Sequence, residues 1–120
     1  MLRTMPERIM THSATLREPN TTDEWGVMTY TETSLSKVHI QPTHTIVKSA
    51  DNKEVNLNAT LFYDPRVSLP VLDWNNIFQS ACANNAQLKV SYQSREYTVF
   101  SVDLLPDDEG KLHHVEVLLY

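Results

Sequence analysis

The stretch that decides the fold class is SADNKEVNLNATLFYDP, which runs from Ser49 to Pro65. After a polar turn at Ser49–Lys53, apolar and polar side chains alternate along the chain. The apolar positions are Val55, Leu57, Ala59, Leu61 and Tyr63. A period of two residues is typical of a β-strand that buries one face and leaves the other in water. The sequence therefore predicts a strand at Glu54–Tyr63, which the Asp64-Pro65 pair ends.

Similar alternation elsewhere predicts a mainly β fold. The other predicted strands are Ile9–Arg17, Met28–Gln41, Thr45–Lys48, Leu88–Tyr92, Glu96–Val102 and His113–Leu119. Segments rich in turn residues separate them at Glu18–Gly26, Gln93–Arg95 and Asp107–Gly110. Pro42 cannot donate to a strand ladder, so we expect an edge or a bend there. The pattern predicts one domain over residues 1–120, a small antiparallel β-barrel or sandwich of six to seven strands.

The hydrophobic period changes after Asp73. Apolar side chains then recur three and four residues apart, at Trp74, Ile77, Phe78, Ala81 and Cys82. This spacing places them on one face of a helix, for which Asp73 is a suitable N-cap. We predict one short helix near residues 74–84, with Cys82 buried in its apolar face as an inert thiol.

Glycine is scarce, and the two glycines, Gly26 and Gly110, stand far apart. Loops that cradle phosphate groups need clustered glycines, so the sequence excludes a P-loop and a dinucleotide-binding fingerprint. Gly26 can adopt a positive φ and turn the chain into the next strand. The preceding Trp25 is expected to fold onto the edge of the barrel.

The charge distribution limits the possible partners. The chain carries a net charge of −5, and the deficit lies in residues 51–120, which hold five basic and ten acidic side chains. Such a chain lacks the basic surface that broad contact with nucleic acid needs. No apolar run approaches the roughly 20 residues that span a bilayer, and no secretory signal is visible. We therefore expect a soluble protein made in the cytoplasm.

Few side chains point to chemistry. His113, His114 and Glu116 raise a metal hypothesis, but on a strand only His114 and Glu116 share a face. Two ligands are too few for a zinc site, so exposed histidines are the favoured interpretation and a metal site the alternative. The acidic cluster at residues 103–109 lacks the spacing of an EF-hand loop. Because no nucleophile elbow is present either, we expect no enzyme activity, no catalytic residue and no cofactor.

Seven short motifs, in order along the chain, carry a resemblance to a known family. They are His12–Leu16 (HSATL), Asp23–Gly26 (DEWG), Val38–Pro42 (VHIQP), Asp51–Val55 (DNKEV), Phe62–Pro65 (FYDP), Arg95–Val99 (REYTV) and His113–Val117 (HHVEV). Together they resemble the minor capsid proteins of tailed bacteriophages and prophages, which are related to head-completion (head-tail joining) proteins. One departure is Asp73–Gln87, which is longer than the short strand and turn expected there.

The resemblance implies a virion structural protein, and the expected role is that of a head-completion or head-tail connector component of the neck. Such proteins are small β-barrels that form rings beneath the portal and bridge it to the tail. The implied partners are other copies of the chain, portal or adaptor proteins, tail proteins, and packaged DNA that passes without sequence-specific binding. The implied location is the virion, after synthesis in the cytoplasm of a bacterial host, with no membrane contact.

Two other functions stay open at this point. A capsid or tail-terminator protein would also be a structural part of the virion. A small ligand- or metal-binding β-barrel, with His113, His114 and Glu116 in its site, belongs to a different class.

The polar loop at Gln41–Lys53 is the candidate site. By analogy with head-completion proteins, it would line or gate the DNA channel or contact a neighbour. Its candidate residues are His44, Lys48, Asp51, Asn52 and Lys53. The alternative is an ordinary exposed hairpin. An acidic subunit repeated around a channel would repel a phosphate backbone and let DNA slide.

Overall fold

Six β-strands and one helix form the part of the chain that the computed structural model describes, residues 8–22, 25–84, 86–106 and 109–120. The strands are β1 (His12–Thr22), β2 (Met28–Lys48), β3 (Glu54–Tyr63), β4 (Lys89–Tyr92), β5 (Arg95–Pro106) and β6 (Leu112–Leu119). The helix α1 (Trp74–Ala83) lies between β3 and β4 in the sequence. These elements confirm the predicted mainly β class with one short helix.

The strands form one closed antiparallel barrel in the order β1-β2-β3-β6-β5-β4, with β4 paired back to β1. The strand predicted at Glu54–Tyr63 has the same bounds in the structure. Its apolar positions from Leu57 to Tyr63 are buried, and Ala59, Leu61 and Tyr63 join Val115 and Val117 of β6 in the core of the barrel. Side chains therefore fill the interior of the barrel.

The connections define two different ends of the barrel. Because neighbouring strands run in opposite directions, the β1–β2 and β5–β6 turns lie at one end, together with the connection that contains α1. We call this the helix end. The β2–β3 and β4–β5 turns lie at the opposite end, which we call the open end.

Strand β2 corrects the predicted break at Pro42. It is continuous over 21 residues and pairs with β1 up to Val38 and with β3 from His39 onward. Its irregularities are a positive φ of 55° at Lys37 and a register shift between Pro42 and Thr45. A register shift lets the strand bend and continue although proline withholds one donor.

Strands β1 and β5 are also longer than predicted. Strand β1 continues through Pro19 to Thr22, because this segment pairs with the start of β2, so most of the expected turn is strand. Asp23 of that turn, like Asp107 and Asp108 of the last one, lies outside the described residues. Trp25 is 82% exposed, so the expectation that it folds onto the barrel edge is wrong.

The helix begins and ends close to its predicted bounds. The Asn76 backbone N–H donates to Asp73 Oδ1 at 3.1 Å, which confirms the predicted N-cap. Trp74 is 1% exposed, and its ring meets that of Tyr63 edge-on at 5.7 Å between centroids. Cys82 is exposed, so its predicted burial is wrong. It lies one residue beyond the buried Ala81, at the solvent border of the apolar face.

Within the described residues, no helix has the length and apolarity to cross a membrane.

Polar contacts hold the segment between β3 and α1 against the barrel. The Tyr63 hydroxyl donates to the Pro70 carbonyl at 2.6 Å and accepts from the Leu72 N–H at 2.9 Å. Asp64 is fully buried, and Arg66 Nε lies 3.2 Å from its Oδ1. These contacts satisfy groups that have lost their hydration, so α1 starts from a fixed point.

We expect the substitution Trp74→Ala to lower the free energy of unfolding by about 3–5 kcal/mol, because it leaves a cavity between α1 and β3. Urea denaturation followed by circular dichroism measures the change. The neighbouring substitution Asn75→Ala removes an exposed side chain and should change the value by less than about 0.5 kcal/mol. Equal losses for the two variants would contradict the placement of α1.

Candidate functional site

The predicted site residues lie on the β2–β3 hairpin, which extends past its neighbouring strands at the open end. Strand β6 pairs with β3 only from Ala59 to Tyr63, and β1 pairs with β2 only up to Val38. In the part of the chain that the structure describes, the segment Thr45–Leu57 therefore has a strand neighbour on one side only. We call this segment the open-end hairpin.

The tip of the open-end hairpin is an ordered turn. The Ser49 N–H donates to the Lys53 carbonyl at 2.8 Å, and the Asn52 N–H donates to the Ser49 carbonyl at 2.9 Å. Asp51 accepts from the Ser49 hydroxyl and lies 3.7 Å from Lys53 Nζ. The Ser49 hydroxyl is the main cause that lowers the pKa of Asp51 below its ordinary value. The tip therefore presents a carboxylate and a partnered lysine to solvent.

The structure brings some of the predicted residues together and separates others. Asp51, Asn52 and Lys53 share the tip, whereas Lys48 ends β2 opposite Glu54, and His44 lies in the register shift of β2. All five predicted residues are exposed. The predicted loop Gln41–Lys53 is wrong in extent, because residues 41–48 form strand and only residues 49–53 form the turn.

Sequence reasoning missed Ile46 on this hairpin. Ile46 is 64% exposed and lies two residues from Lys48, on the same face of β2. The cross-strand partners of these two residues are Asn56 and Glu54, which are exposed as well. We call Ile46, Lys48, Glu54 and Asn56 the hairpin face. The sequence contains a signal for the exposure of Ile46, because strand alternation places Ile46 and the half-buried Val47 on opposite faces of β2.

A groove of about 780 Å³ lies at the helix end, between β1 and α1. Residues 18–20 of β1 form one wall, and Ser80 of α1 lies on the other. Ile77, Ala81 and Leu88 supply apolar surface. Glu18 brings a negative charge to the rim. The sequence pattern gave no indication of this groove, because it depends on how α1 packs on the barrel.

Aromatic and histidine rings form a continuous row across neighbouring strands. The row contains Tyr92 of β4, His12 of β1, His39 of β2, Phe62 of β3 and His114 of β6. Successive ring centroids lie 5.4, 5.1, 5.8 and 6.4 Å apart. The rings of His12 and His39 are stacked. Such ring contacts couple the strands on which they lie.

His12 is held as a neutral imidazole. The Ile40 N–H donates to His12 Nδ1 at 2.9 Å, which requires that nitrogen to be unprotonated. Burial, and secondly the proximity of His39, lowers the pKa of His12 below its ordinary value of 6.5. Protonation of His12 is thus opposed both by its surroundings and by its hydrogen bond.

The residues of the metal alternative lie side by side. His113 Nδ1 is 2.7 Å from His114 Nδ1, and His114 Nε2 is 4.0 Å from Glu116 Oε1. Burial lowers the pKa of His114, although the Glu116 carboxylate acts in the opposite direction. In the described ranges, no three His, Cys, Asp or Glu side chains converge in a way that could hold a metal ion.

We expect acid to destabilise the fold partly through His12. A histidine whose folded-state pKa is lowered stabilises the fold above the unfolded pKa, and this contribution is lost as the pH falls from about 6.5 through the folded value. The free energy of unfolding, measured by urea denaturation, should therefore fall between about pH 7.5 and about pH 5.

The substitution His12→Asn should reduce that loss, because the Asn amide oxygen replaces the acceptor without titrating. The matched change His44→Asn, on an exposed histidine outside the row of rings, should reduce the loss less than His12→Asn does. An unchanged pH dependence in the His12→Asn variant would contradict this role.

The comparisons with known proteins give one family. A family model described as Minor capsid protein matches residues 6–119, which is nearly the whole chain. A search of curated proteins gives no match to the chain.

Proposed function

We propose that this chain, which belongs to the minor capsid protein family, is a head-completion or head-tail connector component of the phage neck. Family membership makes the chain a structural protein of the phage virion, where it contacts other virion proteins. The proposal adds that it acts as one barrel-like unit over residues 1–120, is made in the bacterial cytoplasm and assembles as a ring on the portal or its adaptor.

The observation that supports a ring is the difference between the two ends of the barrel. The open end carries the projecting hairpin, and the helix end carries the groove beside α1. A contact between two different surfaces of identical subunits generates a ring when its rotation closes. Because side chains fill the barrel interior, DNA in such an assembly would pass through the ring and not through a subunit.

We assign the gating role to the tip of the open-end hairpin. Asp51, Asn52 and Lys53 are exposed at the end of a projecting element whose turn is held by its own hydrogen bonds. A ring of such tips would narrow the channel. The net charge of −5 on each subunit would keep DNA from adhering while it passes.

Electron microscopy of particles that lack the gene tests the neck assignment. We expect heads without tails, either filled with DNA or emptied after packaging, because the connection to the tail and the seal would be missing. Filled heads that carry tails of irregular length would instead indicate a tail terminator. Misshapen heads would indicate a capsid role, and either result would overturn the neck assignment.

Deletion of Asp51–Lys53 tests the gating role. Ser49 and Ala50 would then join β2 to β3 as a two-residue connection, a common hairpin length, so the protein should still fold. Filled heads that carry this variant should lose DNA, which nuclease sensitivity of the packaged genome measures.

The double substitution Gln93→Asn and Ser94→Gly is the control for that deletion. It alters the other turn at the open end and suits the positive φ angles of 49° and 63° at these positions. This variant should retain DNA. Heads of the deletion variant that protect their DNA as well as wild-type heads would exclude the gating role.

A further inference from the structure

The groove at the helix end exists because β4 is short. Strand β4 pairs with β1 only at Thr15, Leu16 and Arg17. Before Lys89, the chain leaves the sheet toward α1, so among the described residues β1 has no strand neighbour on this side from Glu18 onward. The helix packs beside this edge and leaves the groove of about 780 Å³.

The lining of the groove favours the binding of a peptide segment that carries both apolar and positively charged side chains. Ile77, Ala81 and Leu88 offer apolar surface, and Glu18 offers a negative charge at the strand edge. Pro19 also lines the groove and has no N–H to donate. A strand that binds along this edge of β1 would therefore lack a backbone hydrogen bond at Pro19. Side-chain contacts must then supply most of its recognition.

The two β2 residues of the hairpin face, Ile46 and Lys48, have the complementary character. Ile46 exposes a branched apolar side chain, and Lys48 carries a positive charge two residues further on. The strand segment Thr45–Lys48 spans about 13 Å, at about 3.3 Å per residue, and the edge of β1 from Glu18 to Thr22 spans about 17 Å. The hairpin segment is thus short enough to lie along this edge of β1.

We propose that the hairpin face of one copy docks in the groove between β1 and α1 of the next copy. Ile46 then contacts the apolar lining, and Lys48 lies beside Glu18. Donor and acceptor surfaces lie at opposite ends of the same barrel, so the contact is head-to-tail, and an open assembly keeps one free groove and one free hairpin until the ring closes. The inference rests on the ring assembly in the proposed function.

Disulfide trapping tests the contact inside assembled particles. The variant with Ile46→Cys and Ser80→Cys, in a Cys82→Ser background, places one thiol on the hairpin face and one on the groove wall. Mild oxidation should yield a ladder of covalent multimers on a non-reducing gel, because a disulfide forms only where Cα atoms approach within about 7 Å. Absence of the ladder would overturn the proposal.

Two controls separate this contact from other arrangements. Ile46→Cys with Gln79→Cys, in the same background, moves the helical thiol to an exposed position outside the groove lining and should give no ladder. The single substitution Ile46→Cys, in the same Cys82→Ser background, should leave the protein without covalent multimers after oxidation. Dimers of that single variant would show hairpins paired with each other, which contradicts docking in the groove.

Charge reversal gives a second, independent measurement. Glu18→Lys and Lys48→Glu should each lower incorporation of the protein into particles by about tenfold, because each places like charges in contact. The double variant should recover incorporation to within about twofold of the wild type. An equal mixture of the two single variants should recover as well, because each contact between unlike variants again joins opposite charges. Failure of both rescues would overturn the proposal.

The outcomes distinguish this inference from the proposed neck function. If the cysteine variant gives a ladder but particles that lack the gene keep an intact neck, the contact is supported and the neck assignment is rejected. If the cysteine variant gives no ladder but particles that lack the gene have no tails, the contact is rejected and the neck assignment is kept.

Discussion

The rest of the structure depends on the short seam between β1 and β4. Three residue pairs, Thr15 with Ser91, Leu16 with Val90 and Arg17 with Lys89, close the sheet. Leu16 and Val90 are fully buried at this seam, so closure and core formation are the same event. Closure removes the edges of the barrel along the seam, and burial of one face of each strand supplies the favourable free energy.

Unequal strand lengths around the barrel produce the surfaces on which the proposed functions rely. Strand β1 extends past β4 at the helix end, and β2 and β3 extend past β1 and β6 at the open end. One overhang forms the groove beside α1, and the other forms the open-end hairpin. A minor capsid protein interacts with other virion proteins, and overhanging strands offer contact surfaces outside the core.

Strand positions were predictable where hydrophobic alternation is strong, and their ends were less so. Glu54–Tyr63 was predicted with its bounds because burial of alternate residues dominates its free energy. Turn-forming residues misled at Pro19 and Pro42, where cross-strand pairing keeps the chain extended. The predicted burial of Cys82 failed for another reason. A helix that packs on a convex barrel buries a narrower face than its apolar pattern indicates.

The sequence by itself determined the mainly β class, the helix with its Asp73 cap, the exposed turn at Ser49–Lys53 and the family that the chain resembles. Each of these follows from local periodicity, from a local hydrogen bond or from short motifs in order. Only the tertiary structure decided that the sheet closes, that α1 leaves a groove beside Glu18, and that the hairpin with Ile46 extends past its neighbouring strands at the opposite end. The physical reason is that closure, groove and overhang depend on the relative lengths of paired strands, which are set by contacts between residues distant in sequence.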